Sequence, residues 1–259
     1  MSTSDEWIAH LTRERRPPNT IAAARRVLRS LPDADTATRE DVEAWWASRA
    51  HLSPATRSND LAILRTFYAW CRRWEHRDDD PTLRIDAPKV PRGLPRPMSR
   101  ADLTRLLPTL PDDLRRAVCL GAYGGLRVSE AAALTWHDVD LETRRIRVLG
   151  KGGKTRLVGM SPLLLDELLP DTGGNVVAAG GAPYTAGTLQ RKVNRAIRAA
   201  GVDCTYHQLR HRFGTVALAA TGNLLAVSRA MGHASPATTA IYAATSDADL
   251  DVIADAVAR

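Results

Sequence analysis

Lysine is scarce in this chain: Lys89, Lys151, Lys154 and Lys192 are the only ones, and every other fixed cation is arginine. A lysine kept against that bias is a candidate for work that needs an ammonium, which can give up its proton far more readily than a guanidinium. Cysteine is scarce too. Cys71, Cys119 and Cys204 are odd in number and widely spaced, which argues against a disulfide framework or a zinc module and for reduced thiols. No apolar run approaches the length of a membrane span, and the start MSTSDEWIAH lacks the basic-then-apolar order of a signal peptide. The expected setting is therefore the cytoplasm, or the nucleoid within it, with no membrane partner. Internal repeats are also lacking.

What is present suits a globular protein that handles a polyanion. The 259 residues, 44% of them apolar, can bury ordinary cores. The net charge of +7 favours nucleic acid as a partner, since each phosphate neutralised releases condensed counterions. Pro88, Pro91, Pro95 and Pro97, with Gly93 among them, forbid a continued helix and mark a stiff connector. The expected organisation is an N-terminal helical domain over 1–87, a linker over 88–97 and a second domain over 98–259. Both sides are basic, with 17 Lys and Arg against 14 Asp and Glu up to residue 97 and 19 against 15 beyond it.

The first lobe reads as helices: one from Asn19 with Ile21, Ala24, Val27 and Leu28 at helical spacing, one over Thr38–Ala50, and one from Ser53, where Ser53 and Pro54 are standard start signals. The third carries an apolar stripe of Leu61, Leu64, Tyr68 and Cys71. Its aromatics Phe67, Tyr68 and Trp70 suit core packing better than base stacking. Thr56, Arg57 and Arg65 are candidates to meet phosphates, the alternative being a solvated face. The second lobe opens with Ser99 capping a helix whose apolar face is Leu103, Leu106 and Leu107, and helical patterns run on to about Leu134. RRIRVLGKGGKTRLVGM then alternates on either side of Gly150 to Gly153, a hairpin signal. Helix returns in SPLLLDELL and again from Thr188. The fold class expected is α+β, mostly helical, with a small antiparallel sheet in the second domain.

Several stretches carry groups suited to chemistry. GKGGKT fails as a nucleotide-binding loop, because the Walker pattern needs a glycine where Val148 stands. Lys151 and Lys154 at the hairpin tip are either a solvated turn or mobile ammonium groups for a phosphate ester. In YHQLRHRFGT, His207 and Arg210 lie three apart and share a face if helical. His211 and Cys204 are near enough to raise zinc, but no further ligand completes a recognisable set. Arg127 follows a Gly-Gly break with Glu130 one turn on, so Glu130 either pairs with it structurally or orients the guanidinium to bind a phosphate in bidentate fashion. AVSRAMGHASPATTAIYAA resembles a helix-turn-helix with Gly232 in the turn. No Lys or Arg lies between Ala230 and Ala258, which leaves its second helix poorly equipped to read DNA. His233 there is a buried structural group or an anion donor, and Tyr242 is core or something more reactive.

GLRVSEAAAL, GKGGKTRLV, HQLRHRFGT, MGH and the closing IY, taken in that order, resemble the tyrosine recombinase family of phage integrases and Xer-type recombinases. The similarity runs from about Leu52 to the C-terminus, and the spacings agree: Lys151 lies 24 after Arg127, His233 26 after His207, and Tyr242 9 after His233. The resemblance implies that Tyr242 is the nucleophile, that Arg127 and Arg210 grip the scissile phosphate, that His207 and His233 complete its cradle, and that Lys151 is the general acid. Glu130 matches the family's acidic supporting position. The N-terminal domain resembles the SAM-like core-binding domain, and the second the catalytic domain that breaks and rejoins DNA. Lys89, Lys154, Arg191 and Arg212 join Thr56, Arg57 and Arg65 as candidate DNA contacts.

Such a pocket makes chemical sense without a metal, ATP or any other cofactor. A phenol with an ordinary pKa of about 10 needs cations to stabilise phenolate character and the charge building on phosphorus. The leaving 5′-oxygen needs a proton, which an ammonium among other cations supplies. The C-terminal stretch TSDADLDVIADAVAR places Leu250, Ile253, Ala254 and Val257 on one helical face. The resemblance implies that this helix docks on a neighbouring protomer, giving a homo-tetramer on paired double-stranded DNA core or attachment sites, with an accessory directionality factor as a further partner. Docking on its own domain is the alternative. With about eighteen residues ahead of the first expected helix, the chain resembles the minimal two-domain members, and a phage-type integrase is the leading expectation. Xer-type dimer resolution and integron or transposon exchange are the alternatives; a type IB topoisomerase is the chemical rival, and a non-catalytic DNA-binding regulator the rival from another class.

Overall fold

The computed structural model describes residues 2–90, 96–150, 153, 155–168 and 174–232. Lys151, Lys154, His233, Tyr242, the closing amphipathic stretch and the second half of the helix-turn-helix pattern lie outside the described residues. The chain divides into two compact units, Met1–Gly93 and Leu94–Arg259. Among the described residues no helix is long and apolar enough to cross a membrane.

The first unit is built from four helices, α1 (Thr3–Arg13), α2 (Pro18–Ser30), α3 (Arg39–Ser48) and α4 (Pro54–Arg73). The first of these corrects the expectation of a first helix at Asn19. Ser2 accepts the Asp5 backbone N–H as a cap, and Trp7, Ile8 and Leu11 at helical spacing are buried. Capping recurs along the unit: Thr38 and Asp41 form a reciprocal capping box on α3, and Ser53 caps α4 with Pro54 in its first turn. Leu61, Leu64, Phe67, Tyr68 and Cys71 are fully buried, so the aromatic cluster is core. The Tyr68 hydroxyl donates to Ala34 O at 3.0 Å, which satisfies the buried phenol. Trp70 packs at the margin of that core and stacks on His76. Asp60 is buried in the same unit, where Arg26 Nη2 at 2.7 Å and Arg49 Nη2 at 2.5 Å pair with it. Burial alone would raise its pKa, but these two arginines hold it below the ordinary value.

The second unit carries α5 (Arg100–Leu106), α6 (Asp112–Gly124), α7 (Val128–Ala133), β1 (Val139–Asp140), β2 (Arg145–Leu149), β3 (Thr155–Gly159), α8 (Pro162–Glu167), β4 (Ala178–Ala179), β5 (Ala182–Pro183), α9 (Ala186–Ala199), α10 (Tyr206–Thr221) and α11 (Leu224–Met231). Ser99 caps α5 as its sequence position suggests, while α9 starts slightly earlier than expected, with Thr185 as its cap. Strands β1, β2 and β3 form an antiparallel sheet in that order, with Ile146 opposite Val158 and Val148 opposite Arg156. Ile146, Val148 and Val158 face the core and are buried. Alternation therefore turns Arg156 inward too. The apolar α6 lies deep in this unit, with Ala117, Val118 and Leu120 fully buried. The unit is mostly helical with small antiparallel sheets, the architecture expected. Cys119, like Cys71 in the first unit, is buried and its thiol is pushed up to about 12 by desolvation, which keeps it protonated.

Candidate active site

A glycine turn sets up the site. Helix α6 ends at Gly125, which adopts a left-handed φ of 65°, and the chain then enters α7 with Arg127 as its N-cap residue. A Cβ on Gly125 would lie 2.5 Å from Phe213 Cδ1, so neither the backbone conformation nor the space admits a side chain. Gly125→Ala is expected to lower stability by about 2–4 kcal/mol and to displace Arg127. A thermal melt checks the first effect and a DNA-cleavage assay the second.

Glu130 is the hub. It is buried at 7% exposure, and its Oε2 accepts the Arg127 backbone N–H at 2.7 Å while Oε1 accepts Arg127 Nη1 at 2.9 Å. Arg156 binds the same carboxylate in bidentate fashion, Nη1 to Oε1 and Nη2 to Oε2, each at 2.8 Å. Arg210 Nη1 stands 3.9 Å from Oε2. Burial would raise the Glu130 pKa, but the Arg156 hydrogen bonds, the Arg127 backbone bond and the arginine charges outweigh it, and the carboxyl titrates below its ordinary range. The charge of Glu130 is thus fixed at neutral pH.

The same three arginines converge on the end of α11. Arg156 Nε donates to Ala230 O at 2.8 Å, Arg210 Nη2 to Met231 O at 2.5 Å, and Arg127 Nη2 to Gly232 O at 2.8 Å. Arg210 also donates to Gly125 O through Nη1. These are the carbonyls that a helix C-terminus leaves unpaired, and its negative dipole end attracts cations. Gly232 terminates α11 in the left-handed region at φ 63°, and a Cβ there would stand 2.9 Å from Arg156 Nη1.

His207 lies in the first turn of α10, one turn before Arg210, and its ring centroid is 4.3 Å from that of His211. His207 is solvent-accessible, yet its pKa is lowered, by desolvation first and then by the Arg210 and Arg127 charges. His211 is pushed down to about 4 by desolvation, His207 and Arg210. Both imidazoles are neutral at pH 7. For His211 the unfolded chain takes up a proton near the ordinary 6.5 and the folded chain only near 4. Its contribution to stability is therefore complete above 6.5 and lost as pH falls toward 4. The melting temperature is expected to drop between pH 6.5 and 5, above most carboxylate titrations, and His211→Gln to flatten that drop. Among the described residues no three His, Cys, Asp or Glu side chains gather in a metal-holding set.

The structure brings Arg127, Glu130, His207 and Arg210 together, with the two arginines unequally exposed. Arg127 keeps 40% of its side chain accessible, whereas Arg210 keeps 2% because it reaches inward to the carbonyls of Gly125 and Met231. Arg156 is the site residue that sequence reasoning missed; an arginine at an inward position of a strand was the available signal. The described candidate DNA contacts divide between the units, with Thr56, Arg57, Arg65 and Lys89 in the first and Arg191 and Arg212 in the second. Lys89, Thr56, Arg65 and Arg191 are exposed, though Arg65 donates to Ile85 O at 2.5 Å and Arg191 to Thr188 Oγ1 at 3.1 Å. Arg57 lies over the Trp46 ring at 4.2 Å, and Arg212 Nη1 reaches Met98 O at 3.4 Å. Lys192, one of the four lysines, donates to the Tyr184 hydroxyl at 3.1 Å, a structural engagement.

Comparison with known proteins gives this geometry a family. Residues 98–249 match the phage integrase family. The tyrosine recombinase XerC of Xanthomonas campestris pv. campestris (strain B100) is 33% identical over 269 residues, covering 93% of this chain and 84% of that protein. The integrase of mycobacterium phage Brujita is 26% identical with a TM-score of 0.51, covering 93% of this chain and 86% of the other. A lambda integrase tetramer bound to a Holliday junction shares the fold at 16% identity, with a TM-score of 0.76 over 90% of this chain and 77% of that one. The arginine-rich cluster around Glu130 is thus found in a chain that belongs to the phage integrase family and is a site-specific tyrosine recombinase.

Proposed function

We propose that the enzyme cleaves and rejoins double-stranded DNA at paired core sites through a 3′-phosphotyrosine link formed by Tyr242. The observation that carries this reading is the convergence of Arg127 and Arg210 on Glu130 and on the end of α11, the helix that precedes His233 and Tyr242 in the chain. Arg127 is the accessible guanidinium of the pair, held by Glu130 in the manner that leaves it suited to a phosphate oxygen.

In this reading the Tyr242 oxygen attacks phosphorus, a P–O bond to tyrosine forms, and the bond from phosphorus to the 5′-oxygen breaks. The phenolic proton leaves to a base, for which neutral His207 is suited, and the departing 5′-oxygen takes a proton from Lys151. Charge growing on the phosphoryl oxygens is stabilised by Arg127 and Arg210, with His233 as a further donor. The phosphotyrosine link is itself a phosphodiester, so a 5′-hydroxyl from the partner duplex can reverse the step without ATP. The other tyrosines are poor nucleophiles: desolvation first raises the pKa of Tyr68, Tyr123, Tyr184 and Tyr206.

The two domains, helical core-binding and catalytic, would close on DNA in the cytoplasm, and a homo-tetramer would assemble on paired sites through the C-terminal stretch, with an accessory protein setting direction. A tetramer of lambda integrase on a Holliday junction supports that assembly. The sequence favours a phage-type integrase, and the similarity to the Brujita phage integrase fits it. The higher identity to XerC over 93% of the chain favours Xer-type recombination as a second reading. Two labelled duplexes from beside the gene, incubated with the protein, test the first claim. Recombinant joints support a recombinase; relaxation of supercoiled DNA without joints would make the protein a topoisomerase, and specific binding without cleavage a regulator.

A further inference from the structure

We infer that Arg156 is a positioning residue of the recombination reaction, acting through Glu130 and the end of α11 to keep Arg127 accessible to the phosphate and Arg210 fixed in the cluster behind it. The inference rests on the reading of Arg127 and Arg210 as the phosphate-gripping pair.

Arg156 is poorly placed to bind DNA itself. Only 11% of its side chain is accessible, and three of its donors are spent inside the protein, two on Glu130 and one on Ala230 O. What it does instead is settle the charge of the cluster. Three guanidinium groups around one carboxylate leave two net positive charges, the number that balances the doubly negative phosphorane formed when a phenolate attacks a phosphodiester. Without Arg156 the cluster would carry a single net charge. Glu130, buried and stripped of its bidentate partner, would draw Arg127 and Arg210 toward itself. The cation that faces substrate would then be partly neutralised by its own support.

Arg156 also acts as a mechanical tie. Its strand β3 follows Lys151 in the chain, and its Nε bond to Ala230 O holds the helix that leads to His233 and Tyr242. Its guanidinium lies across Gly232, where a Cβ would stand 2.9 Å from Nη1. One side chain thus links the hairpin strand, the acidic hub and the last turn of α11. A lysine cannot reproduce this, having neither the planar fork nor the reach to three acceptors at once.

The test compares wild type, Arg156→Lys, Arg156→Met, Glu130→Gln and the Arg156→Met/Glu130→Gln double variant on a nicked core site that traps the covalent adduct. Single-turnover cleavage is measured at saturating DNA, with the half-saturating DNA concentration and the melting temperature in parallel. Arg156→Met is expected to cleave about 10- to 100-fold more slowly, the range for removing a group that orients a directly acting residue. Half-saturation should stay within about twofold, and Arg156→Lys should recover only part of the rate. The double variant should be no slower than the slower single variant, because both changes break one linkage. Wild-type cleavage rates in folded Arg156→Lys and Arg156→Met, or additive losses in the double variant, would overturn the inference while leaving the recombinase intact. If Arg156→Met does not fold, Arg156→Lys and its rate loss relative to its melting temperature decide the matter. No adduct from wild type, or an undiminished adduct from Arg127→Ala, would instead overturn the underlying reading.

Discussion

Tyr242→Phe is expected to form no covalent adduct with nicked core-site DNA while binding that DNA within about 0.5 kcal/mol of wild type. Removing one hydroxyl deletes the attacking atom and leaves a ring of the same size. The other four of the chain's five tyrosines are held in surroundings that keep the phenol protonated. Tyr68 is buried and bonded to Ala34 O, and Tyr206 is buried against the core with its pKa driven up by desolvation. Tyr184 donates to Asp113 Oδ2 at 2.5 Å, and the Tyr123 phenol is likewise raised by burial. Cations do stand near some of them, Lys192 at the Tyr184 hydroxyl and Arg77 over the Tyr68 ring, but burial outweighs these charges and keeps each phenol protonated. A gel-shift titration beside a denaturing gel reads both halves of the prediction, and residual adduct in the variant would place the nucleophile elsewhere.

Arg127→Ala is the second large effect. It is expected to slow cleavage at saturating DNA by at least about 10²- to 10³-fold, the range for deleting one preorganised donor to a developing anion. Binding should weaken far less, since only one of many phosphate contacts goes and the salt dependence should lose about one unit of slope. Two features of the site raise the cost of this substitution above that of a surface cation. Glu130 would keep the backbone N–H of residue 127 but lose its Nη1 partner at 2.9 Å, and the carbonyl of Gly232 would lose its donor at 2.8 Å. Arg127→Lys should rescue poorly, because one ammonium cannot serve Glu130, Gly232 O and a phosphate oxygen in the plane the guanidinium provides. Near wild-type cleavage by Arg127→Lys would mean that charge alone, without the fork, suffices here.

Much of this was legible in the sequence, and the reasons differ between elements. Ser53 and Ser99 announced their helices because a cap is a local hydrogen bond, satisfied three residues away. The β2–β3 hairpin was legible because alternation and a glycine-rich turn are likewise local. Gly125 and Arg127 were found together because the glycine break is written next to the arginine it turns. Helix α1 was overlooked although Ser2, Asp5 and the pair Trp7 and Leu11 carry the same kind of signal. Arg156 is a different case. Its partners lie 26 residues back at Glu130 and 74 ahead at Ala230, and nothing in the periodicity of either segment announces a pairing across such distances. The burial of Arg210 was hidden for the same reason: its acceptors, Gly125 O and Met231 O, are backbone atoms contributed by other elements. A motif identifies which side chains share a function, while the division of labour among arginines depends on which carbonyls the fold turns toward them.

The most direct test of the account is to trap the wild-type protein on nicked core-site DNA, digest the adduct with protease and nuclease, and identify the modified residue by mass spectrometry. A single nucleotide-bearing phosphotyrosine at Tyr242, attached through the 3′-phosphate, is the expected result. A modification on any other residue, or one attached through a 5′-phosphate, would contradict the mechanism at its centre.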